Sequence, residues 1–284
     1  MSPSPIKLGL IGDNIAASRS PALHRIAGRL TGQDVSYDLL RPAALHRSFE
    51  EVLAWAEASG YRGLNITYPY KERVVAHLEV PDPAVRAIGA CNTVLFGPGR
   101  PIGWNTDYSG FIAAYRHRFG DRPPGRVAMA GTGGVGRAIA FALRQLGTSE
   151  LRLFDIDVAK SRALADALAT LPGGTAVTVA GSIEEATRDA DGLVNSTPIG
   201  MVGIGGTPFP QATLAGRQWA FDAVYTPVDT PFMVAAEAAG LNVLSGYELF
   251  FYQGVDAFLH FTGKEAPETA LRKALLEGED RVPA

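Results

Sequence analysis

"RVAMAGTGGVGRAIAFALRQLGTSELRLFD", residues 126–155, decides the fold. A short apolar run, Arg126 to Ala130, leads into Gly131, Gly133 and Gly136, which have the G-x-G-x-x-G spacing. Beyond the glycines Val135, Ala138, Ile139, Ala142, Leu143 and Leu146 recur at the i, i+3, i+4, i+7 positions of one helical face, and Gly147 ends the run. "ELRLFD" then reads as a second strand. Strand, glycine turn, helix and strand in that order predict the opening βαβ unit of a dinucleotide-binding sheet. Each glycine has a task there: a tight turn, backbone approach to a pyrophosphate, and close helix–strand packing. Gly134 and Val135 open the helix whose N-terminus receives the phosphates. Asp155, closing the second strand, suits the ribose hydroxyls of NAD and meets a 2′-phosphate as like charge against like charge, while Asp157 is read as the cap of the next helix. NAD is the expected cofactor. Lys160 and Arg162 lie close behind and leave some use of NADP open.

Working outward, further strands are predicted at Ala176–Val179, Gly192–Asn195, Trp219–Val224 and Asn242–Leu244, with Ser182 and Glu185 as a capping-box pair. A helix within 225–240 takes Thr230 as cap and Pro231 at its first position, and "GYELFFYQGVDAFLHFTG" reads as a long helix. Upstream, strands are predicted at Ile6–Ile11, Ser36–Leu40, Arg62–Thr67 and Asn92–Phe96. A helix over "SPALHRIAGRL" takes Ser20 as N-cap and Pro21 at its first position. Gly97-Pro98-Gly99 marks a hairpin leading to "PIGWNTD". The charged, proline-containing tail beyond Thr262 reads as a short helix with a frayed end. The fold class is α/β with two domains. An N-terminal α/β substrate domain with a mostly parallel sheet spans 1–107 and is completed by 245–284, and a Rossmann-type dinucleotide-binding domain spans 108–244.

Composition narrows the function. With 284 residues and 46% apolar content the chain can bury two cores. A net charge of −3 without a basic cluster gives no electrostatic footprint for nucleic acid or an anionic membrane, so a small-molecule substrate is expected. Cys91 is the single cysteine, which excludes an internal disulfide, and no Cys/His spacing suggests a metal site. The apolar run in "MSPSPIKLGLIG" is shorter than a signal-peptide core or a membrane span, so a cytoplasmic protein is expected. Whether it is a monomer or a homodimer stays open.

"NITYPYKE", residues 65–72, breaks a local rule. It places Lys71 in what reads as the first turn of a short helix, where the dipole repels a cation. Such violations concentrate at functional sites. Together with "SRSP" (18–21), "GACNTV" (89–94), "GWNTD" (103–107), "GTGGVGRA" (131–138), "NSTPIGM" (195–201), "DAVYTP" (222–227) and "YQGVDAF" (252–258), this stretch resembles the shikimate/quinate dehydrogenase family over nearly the whole chain.

The resemblance implies a two-domain enzyme that interconverts a cyclic polyol carboxylate and its 3-keto form with a nicotinamide cofactor, the substrate lying in the cleft between domains. It assigns Lys71 and Asp107 as the catalytic pair, the lysine exchanging a proton with the substrate hydroxyl while the aspartate orients both. Ser18 and Ser20 match hydroxyls that hold the carboxylate. Thr67, Asn92 and Gln253 match further substrate contacts, Tyr225 matches a tyrosine near the cleft, and Asn195, Thr197 and Met201 match a loop on the nicotinamide side. Members using NADP commonly carry Asn-Arg-Ser/Thr after the second strand of the cofactor domain. "FDID" stands there instead and points to the NAD-linked quinate/shikimate branch. Two other readings remain open in the sequence: a dehydrogenase for an aminated or otherwise modified shikimate, and a non-catalytic regulator that binds the same ligand.

Overall fold

The computed structural model describes residues 5–278. Backbone packing divides them into two compact units, one running to Thr106 and resuming at Gln253, the other Asp107–Tyr252.

The first unit begins with β1 (Ile6–Ile11), α1 (Ser20–Leu30), β2 (Val35–Leu40), α2 (Phe49–Ala58) and β3 (Gly63–Ile66). A short 3-10 turn, Arg73–His77, precedes α3 (Pro83–Ile88), β4 (Thr93–Leu95) and β5 (Ile102–Trp104). The sheet order is β2-β1-β3-β4-β5; the first three strands are parallel, and β4 and β5 form the antiparallel hairpin signalled by residues 97–99. One sheet face packs Ile11, Leu64, Ile66 and Val94 against Phe49, Val52, Leu53 and Ala56 of α2. Helix α2 is absent from the sequence expectations, although Ser48 and Glu51 form a complete capping box at its start.

The second unit runs through α4 (Thr106–Phe119), β6 (Arg126–Ala130), α5 (Gly134–Gln145), β7 (Glu150–Phe154), α6 (Val158–Ala169), β8 (Ala176–Val179), α7 (Ile183–Thr187), β9 (Gly192–Asn195), β10 (Trp219–Asp222), α8 (Pro231–Ala238) and β11 (Asn242–Leu244). All six strands are parallel in the order β11-β10-β9-β6-β7-β8. The chain leaves β6 for β7 on one side and returns to β9 on the other, which creates the switch point where parallel sheets bind ligands. Helix α4 packs Phe111 edge-on to Phe221 and Tyr115 edge-on to Trp219 of β10.

Helix α9 (Gly246–Thr262) runs from one unit into the other, and α10 (Glu268–Glu277) follows it. Its second half supplies Ala257 and Phe261 to the remaining face of the first sheet, beside Leu8, Leu10 and Tyr37. Its first half behaves differently from the expectation that residues from 245 onward complete the first unit. Phe250 stacks on Tyr225 and packs with Tyr247, and Tyr252 packs on His117, so this aromatic cluster holds residues 247–252 in the second unit.

Several cap expectations are revised by the structure. Helix α1 begins at Ser20 itself, with Arg19 at the N-cap position and no side-chain cap, so Ser20 is not the cap and Pro21 is not the first helical residue. Ser182 does accept from the Glu185 N–H, but Glu185 returns its bond to the N–H of Gly181 rather than that of Ser182, so the box is half made. Thr230 caps α8 as predicted, accepting from Met233 N–H, although the helix is confined to 231–238.

Candidate active site

On the cofactor side, the glycines divide their tasks as backbone geometry dictates. Gly131 has φ +92 and lies against the end of β9, where an added Cβ would stand 2.7 Å from the Ser196 carbonyl carbon. Gly136 faces the Gly131 carbonyl oxygen at 2.6 Å in the same sense. Gly133, by contrast, faces open space, with nothing within 4 Å of its added Cβ, and it immediately precedes the first N–H groups of α5 at half-buried Gly134 and Val135. Ser196 Oγ is buried at the end of β9 and has no hydrogen-bond partner. Open space before a helix N-terminus fits a pyrophosphate.

Asp155 stands where the second strand ends. Its Oδ2 accepts from the N–H and hydroxyl of Thr132 at 2.8 and 3.0 Å, and its Oδ1 accepts from Asp157 N–H at 2.9 Å. Burial opposes its charge, but these three bonds together with nearby Lys160 outweigh it and lower its pKa. The carboxylate therefore also braces the glycine turn, a task the sequence did not disclose. Asp157 caps α6 through Ala159 N–H as expected, while Arg162 lies on the exposed side of that helix.

Thr197 and Asn195 are placed differently from ordinary ligand contacts. Thr197 donates its hydroxyl to Asn195 Oδ1 at 2.7 Å and accepts from Ile199 N–H, so its polar group shapes the loop after β9. Asn195 is fully buried. Met201 is 42% exposed on the same loop, and Tyr225 is half-buried against Phe250.

In the first unit, Lys71 is not in a helical first turn. Tyr70 N–H bonds back to the Thr67 carbonyl, and the 3-10 turn begins only at Arg73 with Glu72 as its N-cap, so the dipole argument does not apply. Lys71 is instead fixed through its main chain, whose carbonyl accepts from Cys91 N–H at 2.9 Å. The preceding loop is tied down as well: Asp13 accepts from the Tyr70 hydroxyl at 2.7 Å, and Gly12 admits the Thr67 methyl where any Cβ would overlap it.

Asn92 is the best-determined polar group. It is 3% exposed, and its Oδ1 accepts from the Thr106 N–H at 2.7 Å and from the hydroxyls of Thr93 and Thr106. With the oxygen so committed, the amide NH2 is the end left to face a ligand. Asp107 follows Thr106 and is 7% exposed inside the first turn of α4, one residue past the helix start.

A buried chain supports this arrangement. The Tyr37 hydroxyl donates to Asn65 Oδ1 at 2.8 Å, and Asn65 Nδ2 donates to Thr93 Oγ1 at 3.2 Å. Asn65 and Thr93 were not singled out in the sequence; the signal was an asparagine inside the otherwise apolar, wholly buried strand "GLNI". His24 stacks on Tyr37 beneath them, and burial holds it neutral by lowering its pKa from 6.5 to about 3. The unfolded chain takes that proton below about pH 6.5 and the fold resists it. The stabilisation is therefore complete above pH 6.5 and is lost as pH falls toward 3, up to about 5 kcal/mol in all. Thermal unfolding between pH 7 and 4 should show a steeper loss for the wild type than for His24→Phe.

At the start of α1, Ser18 Oγ accepts from Ser20 N–H at 3.3 Å and lies 3.2 Å from the Ser20 hydroxyl, so two hydroxyls share the helix N-terminus. Gly254 lets α9 approach α1 closely, since its added Cβ would stand 2.5 Å from Leu23, and half-buried Gln253 immediately precedes it. Among the described residues no cluster of three or more His, Cys, Asp or Glu could hold a metal ion, and no helix is long and apolar enough to cross a membrane.

The family model "Shikimate dehydrogenase substrate binding domain" matches residues 10–94. The chain is 39% identical to the quinate/shikimate dehydrogenase (NAD(+)) of Corynebacterium efficiens over 97% of its own length and 99% of that protein. It is 38% identical to the shikimate dehydrogenase (NADP(+)) of Pseudarthrobacter chlorophenolicus over 95% of this chain and 94% of that one. Among solved structures, quinate dehydrogenase from Corynebacterium glutamicum in complex with NAD matches with a TM-score of 0.89 at 35% identity, covering 96% of this chain and 99% of that one. Similarity sustained over nearly the full length of these proteins places the chain in the shikimate/quinate dehydrogenase family.

Proposed function

We propose that the protein reversibly oxidises the C3 hydroxyl of quinate, shikimate or both to the 3-dehydro acid, with NAD preferred over NADP. Bound NAD supplies the hydride acceptor. Lys71, in its amine form, takes the hydroxyl proton as hydride leaves the same carbon, and returns it in the reverse direction. Asp107 orients the lysine and the hydroxyl, and the Asn92 amide donates to a ring oxygen. Ser18 and Ser20 hold the carboxylate at the α1 N-terminus, with Thr67, Gln253 and Tyr225 completing the substrate contacts. Gly131, Gly133, Gly134, Val135, Gly136 and Asp155 receive the nucleotide, with Arg162, Thr197 and Met201 at its margins. This reading implies a cytoplasmic enzyme working as a monomer or homodimer.

One observation carries the catalytic assignment. Cys91 N–H anchors the main chain of Lys71, and the next residue, Asn92, anchors the N–H of Thr106, immediately before Asp107. Two adjacent residues just before β4 thereby hold the main chain at Lys71 and at Thr106, the residue before Asp107. The decisive experiment is a steady-state matrix of quinate and shikimate against NAD and NADP at alkaline pH, followed by reduced nicotinamide absorbance. Turnover with NAD is expected. Thermal stabilisation by either acid without turnover would instead identify a binding regulator, and turnover confined to an amino-substituted analogue would move the substrate assignment.

Cofactor choice has its own test. Asp155→Asn keeps the side chain's size and removes its charge. The NAD to NADP ratio of kcat/KM should fall by about 100-fold, through roughly tenfold changes of opposite sign for the two cofactors. An unmoved ratio removes Asp155 from the ribose site.

A further inference from the structure

The reaction as proposed makes no use of a fully buried carboxylate at the end of β10. Asp222 is 0% exposed, and its two oxygens collect donors from three separate segments. Oδ1 accepts from Asn195 Nδ2 at 2.8 Å and from Val224 N–H at 3.0 Å, and Oδ2 accepts from the Thr230 hydroxyl at 2.6 Å. Two of the three donors are committed elsewhere too. Asn195 also donates to the Ile199 carbonyl and accepts from Thr197, so it sets the course of the loop after β9. Thr230 accepts from Met233 N–H and starts α8. One carboxylate thus locks the loop 195–199, the turn 222–224 and a helix N-terminus together.

We propose that Asp222 is a positioning residue for the cofactor, its ionised carboxylate holding the loop after β9 in the shape that receives the nicotinamide. This rests on the dehydrogenase reading and on the nicotinamide-side role of residues 195–201. The donor pattern gives the physical reason. Val224 N–H and the Asn195 amide hydrogens cannot accept, and Thr230 could accept only by turning its own hydrogen away from Oδ2, so a proton on Asp222 displaces at least one of the three donors. The side chains and N–H groups facing the carboxylate, from Asn195, Val224 and Thr230, are all uncharged. Burial raises its pKa from 3.8 to about 6, although all three hydrogen bonds oppose the rise, so the lock opens within reach of mild acid.

The test compares wild type with Asp222→Asn, which keeps the shape but offers the donors a further donor. NAD binding by calorimetry at pH 8 is expected to weaken about tenfold or more, with the KM for quinate or shikimate at saturating NAD moving less than twofold. In the wild type, NAD affinity should fall between pH 7 and 5 with a midpoint near 6, and that limb should be missing in the variant. Stability should run the other way. The folded state holds this proton more tightly than the unfolded chain, so this carboxyl's contribution is full below about pH 4 and is lost as pH rises through 6. As pH falls from 7 to 5, the Tm of the wild type should therefore rise relative to that of Asp222→Asn, a pattern that acid unfolding of the loop alone would not produce. If Asp222→Asn does not fold, Thr230→Val, which deletes one donor from the same lock, must weaken NAD binding in the same sense. An NAD affinity within twofold of wild type, or an acid limb that persists in the variant, overturns the proposal. Because calorimetry reads NAD without turnover, an inactive wild type would defeat the dehydrogenase reading separately.

Discussion

Lys71→Met should lower the turnover of quinate or shikimate by at least about two orders of magnitude while leaving NAD affinity within twofold. Methionine preserves the length and the apolar stem of a half-buried side chain and deletes only the group that moves the proton. The main-chain anchor to Cys91 does not depend on the side chain, so the local fold survives the change. On the proposed assignment the loss should fall on kcat more than on the KM of the acid, because proton transfer is required in the transition state, whereas the carboxylate and ring hydroxyls are assigned to Ser18, Ser20 and Asn92. Steady-state rates at alkaline pH together with an NAD titration decide it. A variant that turns over at the wild-type rate would remove Lys71 from the chemistry and would leave Asp107 without a reason for its place.

Gly131→Ala should unfold the second unit more easily, by about 2–5 kcal/mol, and abolish NAD binding. Two costs add. The residue sits at φ +92, which an L side chain resists by about 1–2 kcal/mol. The new methyl would also stand 2.7 Å from the Ser196 carbonyl carbon and 2.8 Å from the Ser196 oxygen and the Thr197 nitrogen, all backbone atoms that cannot rotate aside, at roughly 1–3 kcal/mol. Relief requires β6 and β9 to part at the switch point, where the nucleotide is expected. Gly133→Ala is the control. Its φ of −73 and ψ of −166 suit any residue and its Cβ would meet nothing, so stability should stay within about 0.5 kcal/mol of wild type. NAD affinity should nevertheless fall, because the methyl occupies the space assigned to pyrophosphate. Thermal unfolding and NAD titration of both variants separate the two effects. Equal stability losses would mean that the glycines are required by the turn and not by a ligand.

The helical periodicity of 135–146 and the alternation of strands and helices around it led directly to the six-stranded parallel sheet, because those patterns arise from local geometry. The starts of α2 and α3 were missed, although Ser48 and Glu51 carry the capping box of the first and Asp82 and Pro83 form the N-terminal cap and first turn of the second. The environment of Lys71 was not legible. Whether "PYKERVVAH" begins an α-helix or a 3-10 turn depends on Cys91 and Asp13 bonding to residues distant in the chain, and no local rule contains that information.

The amino-acid sequence determined which chemistry was available: a glycine turn after a strand, an acid after the next strand, and a lysine and an aspartate in motifs shared with one dehydrogenase family. Tertiary structure alone decided how each polar side chain is spent. Asn92 is turned by a donor 14 residues away, and Asn195 is drawn off to Asp222, 27 residues away. Buried polar groups must find partners wherever the fold places them, so the division between ligand contacts and internal supports is set by packing across the sheet.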